Sequence, residues 1–393
     1  MKTADPQYGL HRFLSQEWSG LVIAAMFVIV GLSAQTAFPH SWRPPLTVGV
    51  VTLGALLGLG AMRHWLNTVR IHRRHPAPGL MVDMGGWRMH MLAEGEAQGR
   101  PTVVWFPGGH AGGHALHHLH LAMRKETRSI LLDRAGSGWS EAGPFPRSTA
   151  REAEEAWCCL ESASERGPFI LVGHSLGGLL AANMARRRRE QVCALVLLDA
   201  TPLDTIVYGP PMMGIASLQR QALLNGLLAL FGIYRHRPER AARGNPEIVE
   251  LERVVRKALG PAASILRDIE TNARAHFAYA SVYSEHSPAG LAGSAWQTVV
   301  YDGDLGDLPV WVVAPGDHAE TASLPTGLAA DAADAARMHR FYRRNRERYL
   351  ATSTQSHRVD VPAGCGHNFP YEAPDFVIDL VRGVLQSSSR CAG

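Results

Sequence analysis

The sequence has few charged residues and few cysteines. Charged residues make up 19% of the 393 residues, against roughly a quarter in a typical soluble chain, and apolar residues make up 46%. This composition excludes a disordered protein, because there is ample apolar surface to bury. The 5 cysteines exclude a disulfide scaffold, and their odd number, with Cys158 and Cys159 adjacent, favours a reducing compartment. Glycine and proline show no short period, which excludes a collagen-like chain.

Acidic residues are scarce at the N-terminal end. Residues 1–78 contain 7 Lys and Arg but only 2 Asp and Glu, whereas residues 79–393 contain 32 and 33. The positive charge of the chain, +4 overall, therefore lies entirely before residue 79. A balanced remainder argues against a nucleic-acid-binding body.

Two long uncharged runs lie in this basic N-terminal end, at 21–38 and 46–62. Each is about 17–18 residues, near the lower limit for a membrane-spanning helix, and a short connection containing proline separates them. We predict a transmembrane helical hairpin that anchors the chain in a lipid bilayer. Tryptophans lie at the ends of these runs, where interfacial aromatic residues are common: Trp18, Trp42 and Trp65.

The distribution of basic residues predicts the topology of this anchor. Arginines follow the second run, whereas only Arg43 lies between the two runs. The positive-inside rule then places both ends, and with them the rest of the chain, in the cytoplasm as part of a multi-pass membrane protein. A cleaved signal peptide in place of the first span, or two buried core helices of a soluble protein, are the alternatives.

The remainder reads as an open α/β sheet. Short apolar runs without strict alternation, typical of buried parallel strands, alternate with helix-length segments at 148–165 and 176–190. The interval 201–305 contains three helical-looking segments (214–232, 246–259 and 262–285) and no strand, which predicts an inserted helical lid. We therefore divide the chain into a membrane anchor and basic linker (1–78), a core (79–200 with 306–393) and the lid. The predicted strands are a hairpin at 80–93 followed by 102–106, 129–132, 169–172, 193–198, 309–313 and 357–361.

The strongest chemical signal is the motif Gly173-His174-Ser175-Leu176-Gly177. It directly follows the predicted strand 169–172 and directly precedes a helix of small residues. This is G-x-S-x-G in the strand–turn–helix context of a nucleophile elbow. Glycine at 173 and 177 avoids the collisions that side chains would make on so sharp a turn. The turn exposes the hydroxyl of Ser175 at a helix N-terminus, where developing negative charge is favoured.

At this motif the chain resembles the α/β-hydrolase superfamily, and the resemblance covers residues 80–385. The Pro107-Gly108-Gly109-His110 segment follows a strand where family members often carry His-Gly before the oxyanion hole. The resemblance implies that the amides of Gly109, or of neighbouring His110, and of Leu176 form the oxyanion hole. The segment 133–140 is similar to the family's D-x-x-G-x-G-x-S turn, which shapes the pocket and receives no catalytic role here.

A serine nucleophile needs a base and an acid to orient that base. His367, in the Gly-Cys-Gly-His loop after the last predicted strand, is similar to the family's terminal histidine and is the expected base. Asp317, after the strand 309–313, is the expected acid, and Asp199, at the end of the strand 193–198, is the main alternative. Less favoured acids are Asp302, Asp304 and Asp307.

A group of histidines between 110 and 120 is the only candidate metal site in the sequence. Three of them, His114, His117 and His118, could share a helix face, but no cysteine or carboxylate lies nearby. We therefore expect them to line the pocket or face solvent, and no metal or organic cofactor is predicted.

These residues predict a membrane-anchored serine hydrolase acting on a small-molecule ester, most simply a carboxylic ester with an apolar acyl group. Serine at the elbow argues against the relatives that carry aspartate there, epoxide hydrolases and haloalkane dehalogenases. The same triad could serve a peptidase, thioesterase, acyltransferase or perhydrolase. A hydrolase fold without activity, used as a binding module, is the alternative from another class.

Overall fold

The computed structural model describes residues 9–37, 43–109, 111–145, 147–202, 215–233, 246–270, 273–282, 300–315 and 332–388. An eight-stranded sheet lies at the centre, in the order β1-β2-β4-β3-β5-β6-β7-β8. The pairs β1–β2 and β2–β4 are antiparallel, and all other neighbours are parallel. The strands are β1 (Leu80–Asp83), β2 (Arg88–Glu94), β3 (Thr102–Phe106), β4 (Ser129–Leu132), β5 (Phe169–His174), β6 (Val192–Leu198), β7 (Val310–Ala314) and β8 (Ser356–Asp360).

The mostly parallel α/β sheet expected from the sequence is confirmed. Every residue of β3, β4, β5 and β6 is buried, which explains why these strands read as continuous apolar runs. Helices cover both faces, with Trp157 and Leu180 in the core on one side and Leu119 and Val377 in the core on the other. The carboxyl ends of β5, β6 and β7 lie side by side, so residues that follow these strands meet at one edge.

The helices fall into three groups. The helices α1 (Gly9–Leu14), α2 (Ser19–Ala37) and α3 (Arg43–Arg74) precede the sheet. The helices α7 (Ile215–Leu230), α8 (Pro246–Leu259), α9 (Ala262–Glu270) and α10 (Ala273–Val282) lie between β6 and β7. The flanking helices are α4 (His117–Met123), α5 (Thr149–Ser162), α6 (Leu176–Arg187), α11 (Ala332–Ala351), α12 (Phe369–Glu372) and α13 (Pro374–Ser387).

The second N-terminal helix is longer than predicted. The sequence indicated a helix over 46–62 followed by a linker over 63–79, but α3 continues to Arg74. No proline or glycine interrupts the chain between Met62 and Pro76, so nothing ends the helix earlier. The side chain of Thr68 donates to the carbonyl of His64 at 3.0 Å within this extension.

The helices α2 and α3 pack closely against each other. A Cβ atom at Gly31 would lie 2.9 Å from Val51, and one at Gly54 would lie 2.8 Å from Val28. Glycine therefore allows the close approach, as small residues do where apolar helices associate. Among the described residues, one helix, Pro44–Arg74, is long and apolar enough to span a membrane, and Ser19–Ser33 is a shorter apolar helix.

These N-terminal helices also contact the helices between β6 and β7. A Cβ at Gly20 would lie 2.9 Å from the carbonyl oxygen of Leu230, and one at Gly60 would overlap the carbonyl of Phe231. An ion pair of 3.4 Å joins His75 to Asp268. The N-terminal helices are thus docked onto the body of the protein through α7 and α9.

Candidate active site

Ser175 lies at the sharp turn between β5 and α6. Its φ of +53° and ψ of −122° are strained for a residue with a side chain. The turn is held from the neighbouring strand, because the amide of Ser175 donates to the carbonyl of Leu198 at 3.0 Å. Leu176 is the first residue of α6, so its amide has no acceptor within the helix and is available to an anion.

Glycines allow the backbones around this turn to approach each other. A Cβ at Gly173 would overlap the carbonyl of Gly177, and a Cβ at Gly177 would overlap the carbonyl of Phe106 and lie 2.6 Å from that of Pro107. These are contacts with backbone, which cannot move away as a flexible side chain could. Glycine is thus required at both motif positions by the packing itself.

The loop after β3 lies beside Ser175. A Cβ at Gly108 would lie 2.9 Å from the Cβ of Ser175. Gly109 has a φ of +54°, and the buried guanidinium of Arg134 donates to its carbonyl. The Gly109 carbonyl is therefore held in a defined orientation next to the serine. His110, the alternative oxyanion donor, lies outside the described residues.

His367 is paired with Asp199. The Nδ1–H of His367 donates to Oδ2 of Asp199 at 2.7 Å, and both side chains are nearly buried. This bond fixes the tautomer in which Nε2 is unprotonated and can accept a proton. Asp317, the acid favoured from the sequence, lies outside the described residues, and the carboxylate on His367 is that of the alternative, Asp199.

The other three aspartates considered as acids make different contacts. Asp302 lies 3.8 Å from Arg348, Asp304 lies 3.8 Å from Arg186, and Asp307 pairs with Arg189 at 2.8 Å. The structure brings none of them to His367. All three lie before β7, at the end of the sheet opposite to the serine.

Asp199 lies in its own strained turn, with a φ of +41°. Its amide donates to the carbonyl of Val313 in the adjacent strand at 2.6 Å. The buried ring of Tyr342 lies edge-on to His367, and burial, with the charge of Asp199, raises the pKa of its phenol. Backbone contacts therefore fix the carboxylate in an almost dry environment.

His174 links the serine turn to the histidine loop, and the sequence analysis missed this role. Its ring lies 4.8 Å from the ring of His367, and its Nε2–H donates to the carbonyl of His367 at 2.9 Å. Burial, with the neighbouring His367, lowers the pKa of His174 to about 3, so the ring is neutral at physiological pH. The only sequence signal was its place beside Ser175 in the motif.

The turn 133–140, to which the sequence analysis gave no catalytic role, positions the loop after β3. Because this loop carries Gly109, a predicted oxyanion donor, we call it the oxyanion loop. Asp133 accepts from the amide of Gly113 at 2.6 Å through Oδ1, and from the amide of Trp139 at 2.8 Å through Oδ2. Its Oδ2 also accepts from Nδ1 of the buried His90 at 2.8 Å. Burial opposes both charges, yet their pairing lowers the pKa of Asp133 and raises that of His90. The pair is therefore ionic.

Comparison with known proteins identifies the family. A model described as "Alpha/beta hydrolase family" matches residues 103–380, about 71% of the chain, including the serine turn and the His367 loop. The chain belongs to the alpha/beta hydrolase family.

Individual relatives of this chain are more distant. It is 28% identical over 174 residues to the uncharacterized protein YbdG of Bacillus subtilis, covering 44% of this chain and 51% of YbdG. It is 29% identical over 157 residues to the dihydrolipoyllysine-residue acetyltransferase component of an acetoin cleaving system of Pseudomonas putida, covering 40% and 42%. The match thus spans about half, or less, of the length of these relatives.

Solved structures show the same fold. A "putative epoxide hydrolase" from Pseudomonas aeruginosa superposes with a TM-score of 0.54 at 18% identity, covering 80% of this chain and 97% of that chain. At this identity the likeness shows the fold alone.

A carboxyl group that the sequence did not single out also contacts the oxyanion loop. Glu270, the last residue of α9, accepts from the amide of Gly112 at 2.5 Å through Oε1. Burial raises the pKa of this carboxyl to about 8. The neighbouring phenol of Tyr371 also has a raised pKa, because of its burial and the charge of Glu270. No motif marks Glu270, because its place depends on how α9 folds over the loop.

The described histidines of the group between 110 and 120 make other contacts. Burial lowers the pKa of His114 to about 4, and its ring stacks on that of His117 at 4.8 Å. His118 donates to the carbonyl of Pro370, and His120 contacts Glu94 and Ser129. Within the described part of the chain, no three side chains of metal-ligand type are arranged to hold an ion.

Proposed function

We propose that the chain is a membrane-anchored serine hydrolase that cleaves a carboxylic ester with an apolar acyl group. Ser175 is the nucleophile, His367 the general base and Asp199 the acid that orients it. The observation that carries this proposal is the hydrogen bond between His367 and Asp199 at the strand ends beside the strained serine turn.

The chemistry follows from these positions. His367 Nε2 takes the hydroxyl proton of Ser175 as its oxygen attacks the acyl carbon, and the amides of Gly109 and Leu176 stabilise the resulting oxyanion. The tetrahedral intermediate expels the alcohol, which takes the proton from His367, and an acyl-serine remains. Water, deprotonated by His367, then attacks the acyl-serine and releases the carboxylic acid and the free serine.

The strained conformation of Ser175 supports its assignment as the nucleophile. Such conformations persist only where the surrounding structure enforces them, and here the Leu198 and Phe106 carbonyls and the glycines around the turn do so. Arg134 supports the oxyanion assignment, because its guanidinium binds the carbonyl of Gly109, the residue whose amide is the proposed donor, and so holds this part of the loop beside the serine.

The N-terminal helices support the membrane anchor and the apolar substrate. We propose that α3 spans the bilayer with α2 packed alongside it as a hairpin, both ends in the cytoplasm. The apolar side chains of these helices are largely exposed in the protein alone, for example Ile29, Leu56 and Leu59 at 62%, 62% and 70%. Because α9 contacts His75 at the end of this hairpin and also the loop beside the serine, the active site lies on the side of the protein that faces the bilayer surface, which favours an apolar acyl chain.

Fluorophosphonate labelling of membranes that contain the full-length protein tests the mechanism. We expect labelling of wild type, none in Ser175→Ala, and strongly reduced labelling in His367→Ala. Ser162→Ala, which removes an exposed hydroxyl, is the matched control and should label like wild type. A series of 4-nitrophenyl esters of rising chain length then tests the acyl preference. Absence of labelling in folded, membrane-inserted wild type would refute the serine mechanism.

A further inference from the structure

A cavity of about 960 Å³ lies away from the serine, between the N-terminal helices and the sheet. Its size is in the range of small-molecule binding sites. None of Ser175, His367 or Asp199 lines it. Its walls come from α1 and the connection between α1 and α2, the last turns of α3, the β1–β2 hairpin, Trp139 with the residues after it, and Arg274 of α10.

The cavity begins where the apolar part of α3 ends. From α3 it is lined by Trp65, Val69, His72 and Arg73, which share one helix face and follow directly after the uncharged run that ends at Met62. From the connection between α1 and α2 it is lined by Trp18, the residue before α2 begins. With α2 and α3 in a bilayer, the cavity therefore lies at the level of the lipid headgroups, where tryptophan is enriched.

The charge of the cavity is positive. It contains two ion pairs, Arg88 with Glu141 at 2.7 Å and Arg274 with Glu17 at 3.8 Å. Two further arginines, Arg12 and Arg73, also line it, and no carboxylate of the described residues lies within 4 Å of either guanidinium. Two unneutralised guanidinium groups at a headgroup level are suited to bind a phosphate, which arginine can contact through two N–H groups at once.

Part of the remaining wall is apolar. The rings of Phe13 and Trp18 meet there edge to face at 5.7 Å. The apolar lining residues are Phe13, Trp18, Trp65, Val69, Met81 and Trp87. A small hydrophilic anion would leave this surface exposed to water. A ligand with both a phosphate and an aliphatic chain would cover both parts.

We propose that this cavity binds an anionic membrane phospholipid, with its phosphate between Arg12 and Arg73 and the first part of an acyl chain along Trp18 and Trp65. The proposal rests on the membrane anchor proposed above and not on the catalytic triad. It gives the anchor a second task, the selection of an anionic lipid next to the catalytic body.

Quenching of tryptophan fluorescence by lipids with brominated acyl chains tests the proposal. The full-length Ser175→Ala protein is reconstituted in phosphatidylcholine vesicles that contain about 5 mol% of either brominated phosphatidylglycerol or brominated phosphatidylcholine, at near-physiological ionic strength. We expect the anionic lipid to quench at least about twofold more strongly than the neutral one. The variant Arg12→Gln with Arg73→Gln should remove this excess.

The matched control is Arg70→Gln with Arg74→Gln. It removes two arginine charges, as the test variant does, but both lie in the last turns of α3 and outside the cavity lining. It should retain the excess quenching. Equal quenching by the two lipids, or equal loss in the two double variants, would overturn the proposal. Loss of the excess on addition of about 10 mM inorganic phosphate would show that a free phosphate is the occupant and would overturn the lipid assignment.

Flotation of the same protein with the vesicles distinguishes failure of the lipid site from failure of the membrane anchor. Failure to float would overturn both the anchor and the lipid site. Flotation without lipid preference would overturn the lipid site alone. Fluorophosphonate labelling of the Ser175-containing protein reports on the triad independently of either result.

Discussion

At the scale of single residues, Asp199 decides how the proposed triad is assembled. Its carboxylate accepts the Nδ1–H of His367, and its turn is held by the backbone of β7. The substitution Asp199→Asn keeps the shape but can place an N–H donor where an acceptor is needed, which favours the wrong tautomer of His367. We expect the rate of fluorophosphonate labelling to fall by about 10²–10⁴-fold.

Two further variants make this prediction specific. Asp317→Asn tests the acid favoured from the sequence and should label within about twofold of wild type. Asp360→Asn, which changes an exposed carboxylate at the end of β8, is a matched surface control. A severe loss in Asp317→Asn with full labelling in Asp199→Asn would contradict the assignment.

The raised pKa of Glu270 predicts a pH-dependent contribution of this residue to the stability of the fold. Burial raises the pKa of its carboxyl from 4.5 to about 8 in the folded state. The contribution is therefore fully present below pH 4.5 and is lost as the pH rises to about 8, because the unfolded chain releases its proton more readily. Glu270→Gln keeps an acceptor for the Gly112 amide but removes this titration.

We therefore expect Glu270→Gln to gain stability relative to wild type between pH 5 and pH 8, by on the order of 1–3 kcal/mol. Thermal unfolding at both pH values measures the change. Glu96→Gln, at an exposed position in the loop after β2, should follow wild type at both. The same stability difference at pH 5 and pH 8 between Glu270→Gln and wild type would contradict the raised pKa.

At the scale of secondary-structure elements, the serine turn is set by backbone contacts at Gly177. A methyl group there would overlap the carbonyl of Phe106 and lie 2.6 Å from that of Pro107. We expect Gly177→Ala to destabilise the fold by about 1–3 kcal/mol or more, because β3 or the turn must shift. Labelling of Ser175 should fall with it, since the oxyanion loop follows β3.

The matched control for this prediction is Gly383→Ala. Gly383 lies in α13 and has open space around its Cβ position, so alanine should stabilise that helix by up to about 1 kcal/mol. Thermal unfolding and labelling of the two variants are compared directly. An unfolding midpoint of Gly177→Ala equal to that of wild type would contradict the packing argument.

How far the sequence predicted these elements depends on whether the signal is local. The strands β3 and β4 were predicted at their observed bounds, because a buried parallel strand is apolar along its whole length. The motif around Ser175 is local too, since its glycines are required by contacts at the turn itself. For these strands and this turn, the pattern of residues in the sequence matches the environment that the fold provides.

The acid on His367 was not predictable in the same way. Asp199 and Asp317 each follow one of two adjacent strands, β6 and β7, and sequence spacing does not tell which strand end the His367 loop approaches. The contacts of Arg134, His174 and Glu270 likewise join segments far apart in the chain. Such contacts depend on the assembled fold, so no local pattern marks them.

At the scale of the whole molecule, the N-terminal helices and the helices between β6 and β7 form one packed unit. The backbone of α3 at Gly60 touches the backbone at Phe231 and Gly232, which follow α7. Just after the end of α3, Nε2 of His75 lies 3.4 Å from Oδ2 of Asp268 in α9. The helices that adjoin the oxyanion loop are thereby tied to the proposed membrane anchor.

Breaking this contact tests the coupling. Valine at Gly60 would overlap the Phe231 carbonyl, whereas valine at Gly49, in the same helix, has open space around it. Both helices remain apolar, so both variants should float with vesicles. We expect Gly60→Val to raise the rate of tryptic cleavage after Arg220, Arg253 and Arg256 by about tenfold, which corresponds to ~1.4 kcal/mol of local stability.

Mass spectrometry of the digestion products, with Gly49→Val as the matched control, measures this difference. Equal cleavage in the two variants would contradict the coupling, because replacing glycine by valine changes the helix propensity of α3 equally at both positions. Cleavage that rises only in Gly60→Val would show that the anchor stabilises α7 and α8. Esterase activity measured beside it would then fall with the same variant, since α9 holds the oxyanion loop through Glu270.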